Sequence, residues 1–353
     1  MINDLLSPAP RPETPAPILL LFTGSGSEYF RIWIVNLALT FVTFGIYSAW
    51  AKVRRLQYFY RNTLLDGSGF DYHGNPVSIL KGRLIAFALI AAYKFALTVN
   101  VAAALVLLAL IGAVMPWLLV RSLAFRMRYS SWRGLRFRFN GDVPGGYRVL
   151  LLWPLASVLS LGLLAPRAYH AFKAYQHGNT AFGTAGFTFS ATVGDVYRLW
   201  LRAALLFLGL PVILFFAASS MIDTGRALPG LGGVLLAVLA GFLVYALLLM
   251  AMPYFLTRSQ NLVWNHTTLG VHRFECRLKF NKVLWLVVSN FFLTILTIGL
   301  FRPFAVVRMA RYRAESMTLV PGESLDHFVG VQSREVAAIG EEVAEFFDID
   351  IAL

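Results

Sequence analysis

The chain has 353 residues, of which 58% are hydrophobic and only 14% are charged, and its mean hydropathy is +0.65. Soluble domains usually carry about 25% charged residues, so this composition excludes an ordinary soluble protein and indicates a multi-pass membrane protein. The single cysteine, Cys276, excludes an intramolecular disulfide and any multi-cysteine zinc or iron–sulfur site within the chain.

The net charge of +13 is unevenly distributed along the chain. Residues 319–353 contain eight acids and one base, Arg334, so this tail has a net charge of −7 and the remainder has +20. Basic residues beside apolar spans are expected on the cytoplasmic side, where they also meet anionic lipid. We therefore interpret the charge mainly as a topology signal, and attraction of an anionic substrate is the less favoured alternative.

The two ends of the chain differ from its apolar body. Residues 1–17 contain five prolines and no basic run before an apolar core, which predicts a disordered Pro-rich arm and not a cleaved signal peptide. The acidic tail, residues 331–353, predicts an amphipathic helix from Ser333, which either docks on basic segments or stays solvated. The apolar face of that helix carries Val336, Ile339, Val343 and Phe346.

From Ile18 onward, the chain repeats a pattern of strand, apolar segment, basic amphipathic helix and second strand. Short apolar or alternating runs end at Phe22, Phe139 and Phe189, and each is followed eight and nine residues later by an aromatic residue and an arginine. This spacing predicts a strand, a turn and then a helix that enters the membrane interface.

Three further marks recur in register. A glycine followed four residues later by alanine or proline predicts that one helix stops and another starts, at Gly45–Ala49, Gly112–Pro116, Gly162–Pro166 and Gly299–Pro303. The helices that follow such marks, including one from Pro253 that lacks the glycine, share an arginine position at Arg54, Arg121, Arg258 and Arg308. Alternating strands are then predicted at Phe70–Tyr72, Phe137–Phe139, Phe187–Phe189 and Phe274–Cys276.

These marks predict one integral membrane domain at residues 18–330. It contains modules at about 22–72, 121–189 and 258–330, joined by membrane hairpins at about 84–120 and 199–252. The first and last modules are the most alike, since eight residues from Asn36 to Tyr58 match eight from Asn290 to Tyr312 at a constant offset of 254.

The predicted fold class is a mainly α-helical membrane protein, a multi-pass helical bundle with internal repeats and short interfacial β-strands. The sequence leaves open how many times the chain crosses the membrane. Four spans result if the single apolar segments inside the modules re-enter or lie at the interface, which the polar Asn36 and Asn290 favour. Seven spans result if those segments cross, which places basic residues of the middle module outside. A tip of the first hairpin is predicted near residues 94–100, because Lys94 then reaches the far interface.

The stretch TFGIYSAWAK at Thr43 to Lys52, together with the run from Phe22 to Trp33, resembles the YjgN-like family of bacterial inner-membrane proteins, a domain of unknown function. The resemblance covers about residues 18–330, and the third module departs from it by reading TIGLFRPFAV. It implies a multi-pass protein of the bacterial cytoplasmic (inner) membrane, and it implies no activity or catalytic residues.

Two sets of residues are candidates for function. A polar lining is predicted where the apolar segments converge, and helix–helix hydrogen bonding is the alternative, for Asn36, Thr40, Thr43, Asn290, Thr294 and Thr297. Contacts to anionic lipid or an anionic solute are predicted for Arg54, Arg121, Arg258 and Arg308, with interfacial anchoring as the alternative.

The sequence predicts neither a cofactor nor a metal site, and no catalytic residues, because no phosphate loop, zinc signature or nucleophile motif is present. Basic residues among aromatics fit an interfacial belt better than a nucleic-acid surface, so the predicted partner is the lipid bilayer, with anionic head groups. Two functions remain open. One is a solute transporter or channel-like protein with a polar path near the Asn/Thr segments. The alternative is a non-transporting membrane protein that binds anionic lipid or a protein partner through basic interfacial helices.

Overall fold

The computed structural model describes residues 16–209, 211–213, 216 and 231–351. Residues 1–15 of the Pro-rich arm and the loop at residues 221–230 lie outside the described residues. The described strands are β1 (Ile18–Phe22), β2 (Thr63–Leu65), β3 (Ser68–Tyr72), β4 (Ser130–Trp132), β5 (Leu135–Phe139), β6 (Thr180–Phe182), β7 (Ala185–Phe189), β8 (Thr267–Leu269), β9 (His272–Cys276) and β10 (Met317–Val320).

The described helices are α1 (Gly26–Val42), α2 (Ser48–Arg61), α3 (Pro76–Val99), α4 (Val101–Arg128), α5 (Val143–Leu159), α6 (Ala165–Gly178), α7 (Val193–Ala204), α8 (Leu231–Asn265), α9 (Phe280–Leu296), α10 (Arg302–Glu315) and α11 (Leu325–Ile351). Helix α5 contains a π-helical stretch at Arg148–Leu152, and α7 continues into another at Leu205–Gly209.

The strands of the described residues form one closed antiparallel barrel, in which each strand pairs with the next and β1 also pairs with β10. The predicted helical membrane protein is confirmed, and the closed barrel is a feature that the predicted fold class did not include. The sequence pattern predicted the longer strands β3, β5, β7 and β9. The strands β2, β4, β6 and β8 escaped it, since three residues are too few to show alternation.

Within the described residues, the barrel is built from a unit that occurs five times: a longer strand, a first helix, a second helix and a short strand. The units run from β1 to β2, β3 to β4, β5 to β6, β7 to β8 and β9 to β10. A backbone hydrogen bond closes each unit, as where the Thr23 N–H donates to the Asn62 carbonyl at 3.0 Å. The three modules predicted from the sequence divide the same repeat at other points.

Tyrosines at one repeated position of the second helix form hydrogen bonds to the start of the first helix in their own unit. The hydroxyl of Tyr58 donates to the carbonyl of Ser25 at 2.8 Å, and that of Tyr175 donates to the carbonyl of Asp142 at 2.7 Å. The aromatic residue that recurs in the sequence at this position therefore has a structural cause.

Connections between strands alternate between the two ends of the barrel, because all neighbouring strands are antiparallel. The helical hairpins leave one end, here called the helical end, and two-residue turns close the opposite turn end. The first of these turns, Asp66-Gly67, has φ values of +49° and +69°, as a type I′ turn requires. At the helical end each first helix packs against the second helix of the preceding unit, and α1 packs against α10, so the ring of helices is also closed.

Aromatic side chains fill the barrel. Phe70, Phe137, Phe187 and Phe274 occupy the middle of successive longer strands, and their ring centroids lie 6.5, 6.5 and 6.1 Å apart in that order. Leu20 holds the same position in β1 and is buried in the same core. The barrel is consequently a packed core and not an open pore.

The helical hairpins have two lengths. The second helices α2, α6 and α10 contain 14 residues each, whereas α4 contains 28 residues. At 1.5 Å per residue, the tip of the long hairpin lies about 21 Å further from the barrel than the short tips. The first long hairpin turns at Asn100, within the predicted tip, and its Oδ1 accepts from the Ala102 N–H at 2.7 Å.

The glycine marks end a helix only in the short hairpins. Gly45, Gly162 and Gly299 have φ values of +91°, +89° and +88° at the tips, whereas Gly112 lies inside α4. A side-chain hydroxyl two residues before each tip glycine accepts a hydrogen bond from a backbone N–H that follows the glycine. The hydroxyl of Thr43, for example, accepts from the Tyr47 N–H at 2.9 Å. Leu110 stands at that position before Gly112 and cannot form this cap, so the helix continues there.

Four helices of the described residues are long and apolar enough to cross a membrane: Pro76–Val99, Val101–Arg128, Val193–Ile213 and Gly241–Asn265. The first two overlap the predicted hairpin at about 84–120, and the last two overlap the ends of the predicted hairpin at about 199–252. The seven-span alternative would place successive modules on opposite sides of the membrane. It does not fit this structure, because the strands of all the modules belong to one barrel and each hairpin returns to it.

The acidic tail helix α11 lies against the turn end. Phe328 packs on Phe182 and on His272, with ring centroids 6.3 and 4.4 Å away. Asp326 pairs with Arg133 at 2.6 Å. Of the two alternatives for the tail, docking is therefore the one observed, although its helix begins earlier than predicted. The side chains of Ile339, Val343 and Phe346 lie outside the described residues.

Candidate functional site

The six residues of the predicted polar lining lie in the α1–α2 and α9–α10 hairpins, and most of their side chains bond within their own hairpin. Thr43 and Thr297 donate to carbonyls of the preceding turn and cap the hairpin tip. Thr294 donates to the Asn290 carbonyl at 2.6 Å. Thr40 is half-buried on α1, and its carbonyl accepts from the Gly45 N–H at 2.8 Å.

The two asparagines of this set have different surroundings. Asn290 donates to the carbonyl of Ala305 at 3.3 Å and accepts from Arg308 at 2.8 Å, so it joins the two helices of its hairpin. Asn36 is only 7% exposed, and its Oδ1 has no hydrogen-bond partner among the described residues. The equivalent arginine, Arg54, turns instead towards the ring of Tyr47.

The four arginines that recur at one position of the repeat lie at the same height above the barrel, because each is seven residues before the end of its second helix. Each also stacks on an aromatic ring near it in the chain, at 5.7 to 6.0 Å from the ring centroid, in the pairs Arg54–Tyr47, Arg121–Trp117, Arg258–Tyr254 and Arg308–Phe301. They form a belt around the ring of helices, here called the arginine belt.

Arg54 also lines a groove of about 520 Å³ between α1 and α2. The groove contains two more cationic side chains, Arg31 and Arg61, and the apolar residues Ile32 and Val35. Arg61 is paired with Asp71 at 3.0 Å, so Arg31 and Arg54 supply its positive charge. Such a groove combines phosphate-binding groups with an apolar wall.

A second and more enclosed space lies on the barrel axis. This axial chamber has a volume of about 480 Å³ and is lined by all the second helices of the described residues and by β5 to β7, but by no first helix. Phe137 and Phe187, two of the four phenylalanines that fill the barrel, form its floor. Its cationic side chains are Arg126, Lys173 and Arg313, from three different units, and no carboxylate lines it.

Burial perturbs the titratable groups of the chamber. It lowers the pKa of Lys173 and of Arg313, as expected for cations that have lost water without gaining an anionic partner. Burial, with a smaller effect of Lys173, lowers the pKa of His177 to about 4, so this imidazole is neutral at pH 7. Its Nδ1 lies 3.3 Å from Oγ1 of Thr267.

Sequence reasoning missed the chamber because its three cations do not share one position of the repeat. Arg126 and Arg313 stand at one register position of the second helix, ten residues beyond the glycine–proline mark, and Lys173 stands at another, seven beyond. The search for recurring residues found the arginine belt, which stays outside the chamber. A helical wheel of α6 would have placed Tyr169, Lys173 and His177 on one face, since they are four residues apart.

Among the described residues, no group of three or more His, Cys, Asp or Glu side chains lies close enough to hold a metal ion. His272 is fully buried against the tail helix, and its Nδ1 accepts from the Gly322 N–H at 3.3 Å. His170 lies against the carbonyl of Ala191 at 2.8 Å. His170 thus contacts the backbone of the following unit, and His272 contacts the backbone of the segment before the tail helix.

Comparison with known proteins gives the family. A model described as "Bacterial protein of unknown function (DUF898)" matches residues 18–346. The chain belongs to this family. The resemblance predicted from the sequence is thereby confirmed, and the match to the DUF898 model extends beyond residue 330 into the tail helix.

Curated relatives carry the name "Inner membrane protein YjgN". The protein from Salmonella typhimurium (strain LT2) is 24% identical over 357 residues, which cover 86% of this chain and 88% of that protein. The one from Escherichia coli (strain K12) is 31% identical over 151 residues, 40% of this chain and 36% of that protein. No solved structure matches. This DUF898 protein is accordingly a multi-pass inner-membrane protein, as the sequence predicted.

Proposed function

We propose that the protein is a non-transporting membrane protein that binds anionic lipid head groups from the cytoplasmic side through its arginine belt. The observation that carries the proposal is the level of the belt. Arg121 lies 20 residues, or about 30 Å, from the start of α4 at the far hairpin tip, and this is the thickness of the hydrocarbon core. With the tip at the far interface, the belt lies at the near one.

The short hairpins fit the same placement. Arg54 and Arg308 lie six residues from the starts of α2 and α10, so these tips extend beyond the belt by about two helical turns and lie about 10 Å inside the hydrocarbon. The residues at these tips are apolar and uncovered: Phe44 is 98% exposed, and Leu161 and Ile298 are each 94% exposed. An apolar tip followed by stacked arginines at head-group level is the arrangement of an element inserted from one side.

Transport receives less support. Phenylalanine side chains fill the barrel, and the tail helix covers its turn end. The hydroxyls of Thr43, Thr294 and Thr297 in the predicted lining bond to their own helices. A polar path near these segments therefore lacks free polar groups along most of its length. Transport remains a prediction from the sequence.

The lipid proposal is tested by a triple variant, Arg54→Gln, Arg121→Gln and Arg258→Gln, whose three side chains are exposed. The matched control is Arg136→Gln, Arg138→Gln and Arg273→Gln, which removes three exposed charges from the barrel strands. The preference for brominated phosphatidylglycerol over brominated phosphatidylcholine is measured from tryptophan quenching.

Each arginine near an anionic head group contributes about 1 kcal/mol, or about a fivefold preference. We expect the preference for phosphatidylglycerol to fall towards unity in the belt variant and to persist in the control. A belt variant with the wild-type preference would overturn the proposal.

A further inference from the structure

The axial chamber carries positive charge that the protein does not neutralise. The ammonium of Lys173 donates to Oε1 of Gln176 at 3.2 Å and lies over the rings of Tyr169 and Phe172. Arg126 and Arg313 take part in no ion pair among the described residues. Lys173 and Arg313 have lost water without gaining an anionic partner, and Arg126 lines the same space, so an anion bound there would offset the cost of that desolvation.

The chamber lies between the barrel and the arginine belt. Arg126 and Arg313 are two residues from the ends of their second helices, whereas the belt is seven residues from those ends. The difference places these cations about 8 Å on the barrel side of the belt. With the belt at head-group level, the chamber is outside the hydrocarbon and opens to aqueous or head-group solutes.

The remaining walls of the chamber suit an apolar or aromatic group. Phe137 and Phe187 form the floor, and Trp264, Tyr60 and Tyr169 stand on the walls. Gln260 adds an uncharged polar group. Ligand sites of this volume commonly hold a small organic molecule among apolar side chains, with a few polar groups that fix its orientation.

We infer that the axial chamber binds a phosphate-bearing ligand that also carries an aromatic or apolar group. Two guanidinium groups and one ammonium on different helices match the several oxygens of a phosphate, which accepts forked hydrogen bonds from arginine and a point charge from lysine. A single carboxylate would leave most of this charge unpaired.

The phosphate has two sources, a soluble phosphate ester or a lipid head group. A groove of about 390 Å³ between α2 and α10 includes Arg313 among its lining residues, together with Arg55 and Arg302. Arg313 lines both spaces, so this basic groove adjoins the chamber. The experiment must separate the two sources.

The test uses the full chain purified in detergent and calorimetric titration with 1-naphthyl phosphate, with 1-naphthol as the uncharged comparison. A second arm replaces the probe by short-chain phosphatidic acid, with short-chain phosphatidylcholine as its comparison. The variants are Lys173→Gln and Arg313→Gln, and the matched control is Arg136→Gln, which removes an exposed charge from the outer barrel. Lys173→Arg keeps the charge, and the thermal transition of each variant reports folding.

Loss of one charge-assisted hydrogen bond is expected to weaken binding about tenfold or more. Tenfold weaker binding of naphthyl phosphate in Lys173→Gln and Arg313→Gln, with Lys173→Arg and Arg136→Gln near wild type, supports a soluble ester. The same pattern with phosphatidic acid alone identifies a lipid head group as the source. Binding of neither probe, equal binding of naphthol, or equal affinity in all variants overturns the inference.

The inference rests on the lipid proposal for the level of the chamber, but the two experiments change different residues and can fail separately. If the belt variant keeps its lipid preference while the chamber variants lose naphthyl phosphate, the lipid proposal fails alone. The reverse result removes the chamber ligand and leaves the belt.

Discussion

Arg308 donates a hydrogen bond to Oδ1 of Asn290 at 2.8 Å and so joins the two helices of the last hairpin, whereas Oδ1 of the equivalent Asn36 has no partner in the part of the chain that the structure describes. We expect Asn290→Leu to lower the free energy of unfolding by about 1.5–3 kcal/mol, the usual contribution of a hydrogen bond to a charged group. Asn36→Leu is expected to stay within about 0.5 kcal/mol of wild type, because leucine has a similar volume and leaves no buried polar group unpaired.

Unfolding in mixed micelles, titrated with dodecyl sulfate, measures both variants. Equal destabilisation by the two substitutions would show that the 2.8 Å contact contributes nothing specific. The same two variants also test the transport hypothesis, because a polar path along these segments requires both asparagines and solute flux would fall in either variant.

The glycine marks give a prediction of opposite sign at equivalent positions. Gly45 has φ +91° at a hairpin tip, and Gly112 lies within α4, yet a Cβ added at either would meet nothing within 4 Å. Gly45→Ala is therefore expected to destabilise the protein by about 1–2 kcal/mol through backbone strain alone. Gly112→Ala is expected to stabilise it by about 0.5–1 kcal/mol, because alanine favours a helix interior. Changes of the same sign in thermal unfolding would contradict this.

The same two glycines show how far the sequence could predict the fold. The repeat located the longer strands, the second helices and both long hairpins, because each has a recurring local cause such as a helix end or a strand of alternating residues. A glycine mark ends a helix where a hydroxyl lies two residues before it, as Thr43 does before Gly45. Leu110 stands at that position before Gly112, and the repeat pattern alone does not distinguish the two cases.

Closure of the barrel was beyond the sequence pattern for a physical reason. It depends on β1 pairing with β10, which joins Leu19 to Thr318 across nearly the whole chain. The chamber was missed for a related reason, since Lys173, Arg126 and Arg313 come from different units and meet only when the ring of helices closes. Repetition identifies what the units share, and a site built from their differences needs the assembled structure.

One glutamine of the tail helix makes three of its hydrogen bonds to the turn end. Oε1 of Gln332 accepts from the backbone N–H groups of Thr184 and Ala185 at 2.7 and 2.8 Å and from the Thr184 hydroxyl at 2.6 Å. Gln332→Ala leaves these donors to water or unpaired, so we expect a cost of about 1–3 kcal/mol. Faster cleavage of the tail by proteinase K would report its release. His327→Ala, on the exposed side of the same helix, is the control and should be cleaved at the wild-type rate.

Because of the buried imidazole of His177, we expect the folded protein to lose stability in acid. Its pKa falls from 6.5 to about 4 on folding, chiefly by burial, so the unfolded chain binds the proton more readily than the folded one. The contribution of the neutral imidazole is complete above pH 6.5 and declines as the pH falls towards 4. The change is about 3 kcal/mol at most. His177→Phe keeps a ring against Trp264 and should flatten the pH profile of thermal unfolding; an unchanged profile would assign the acid sensitivity elsewhere.

The level of the hairpin tips can be measured by cysteine labelling in a Cys276→Ala background. Val101→Cys marks a long tip, Leu161→Cys a short tip, and Arg136→Cys the outer surface of the barrel. In intact cells whose outer membrane is permeable, we expect an impermeant maleimide to label only position 101. Position 136 should react after the inner membrane is opened, because the lipid proposal puts the barrel on the cytoplasmic side. Position 161 should react only after denaturation, because the same proposal puts the apolar tip inside the bilayer. Labelling of position 161 from outside would mean that a hairpin with a 14-residue second helix crosses the membrane, and the level assigned to the arginine belt would then be wrong.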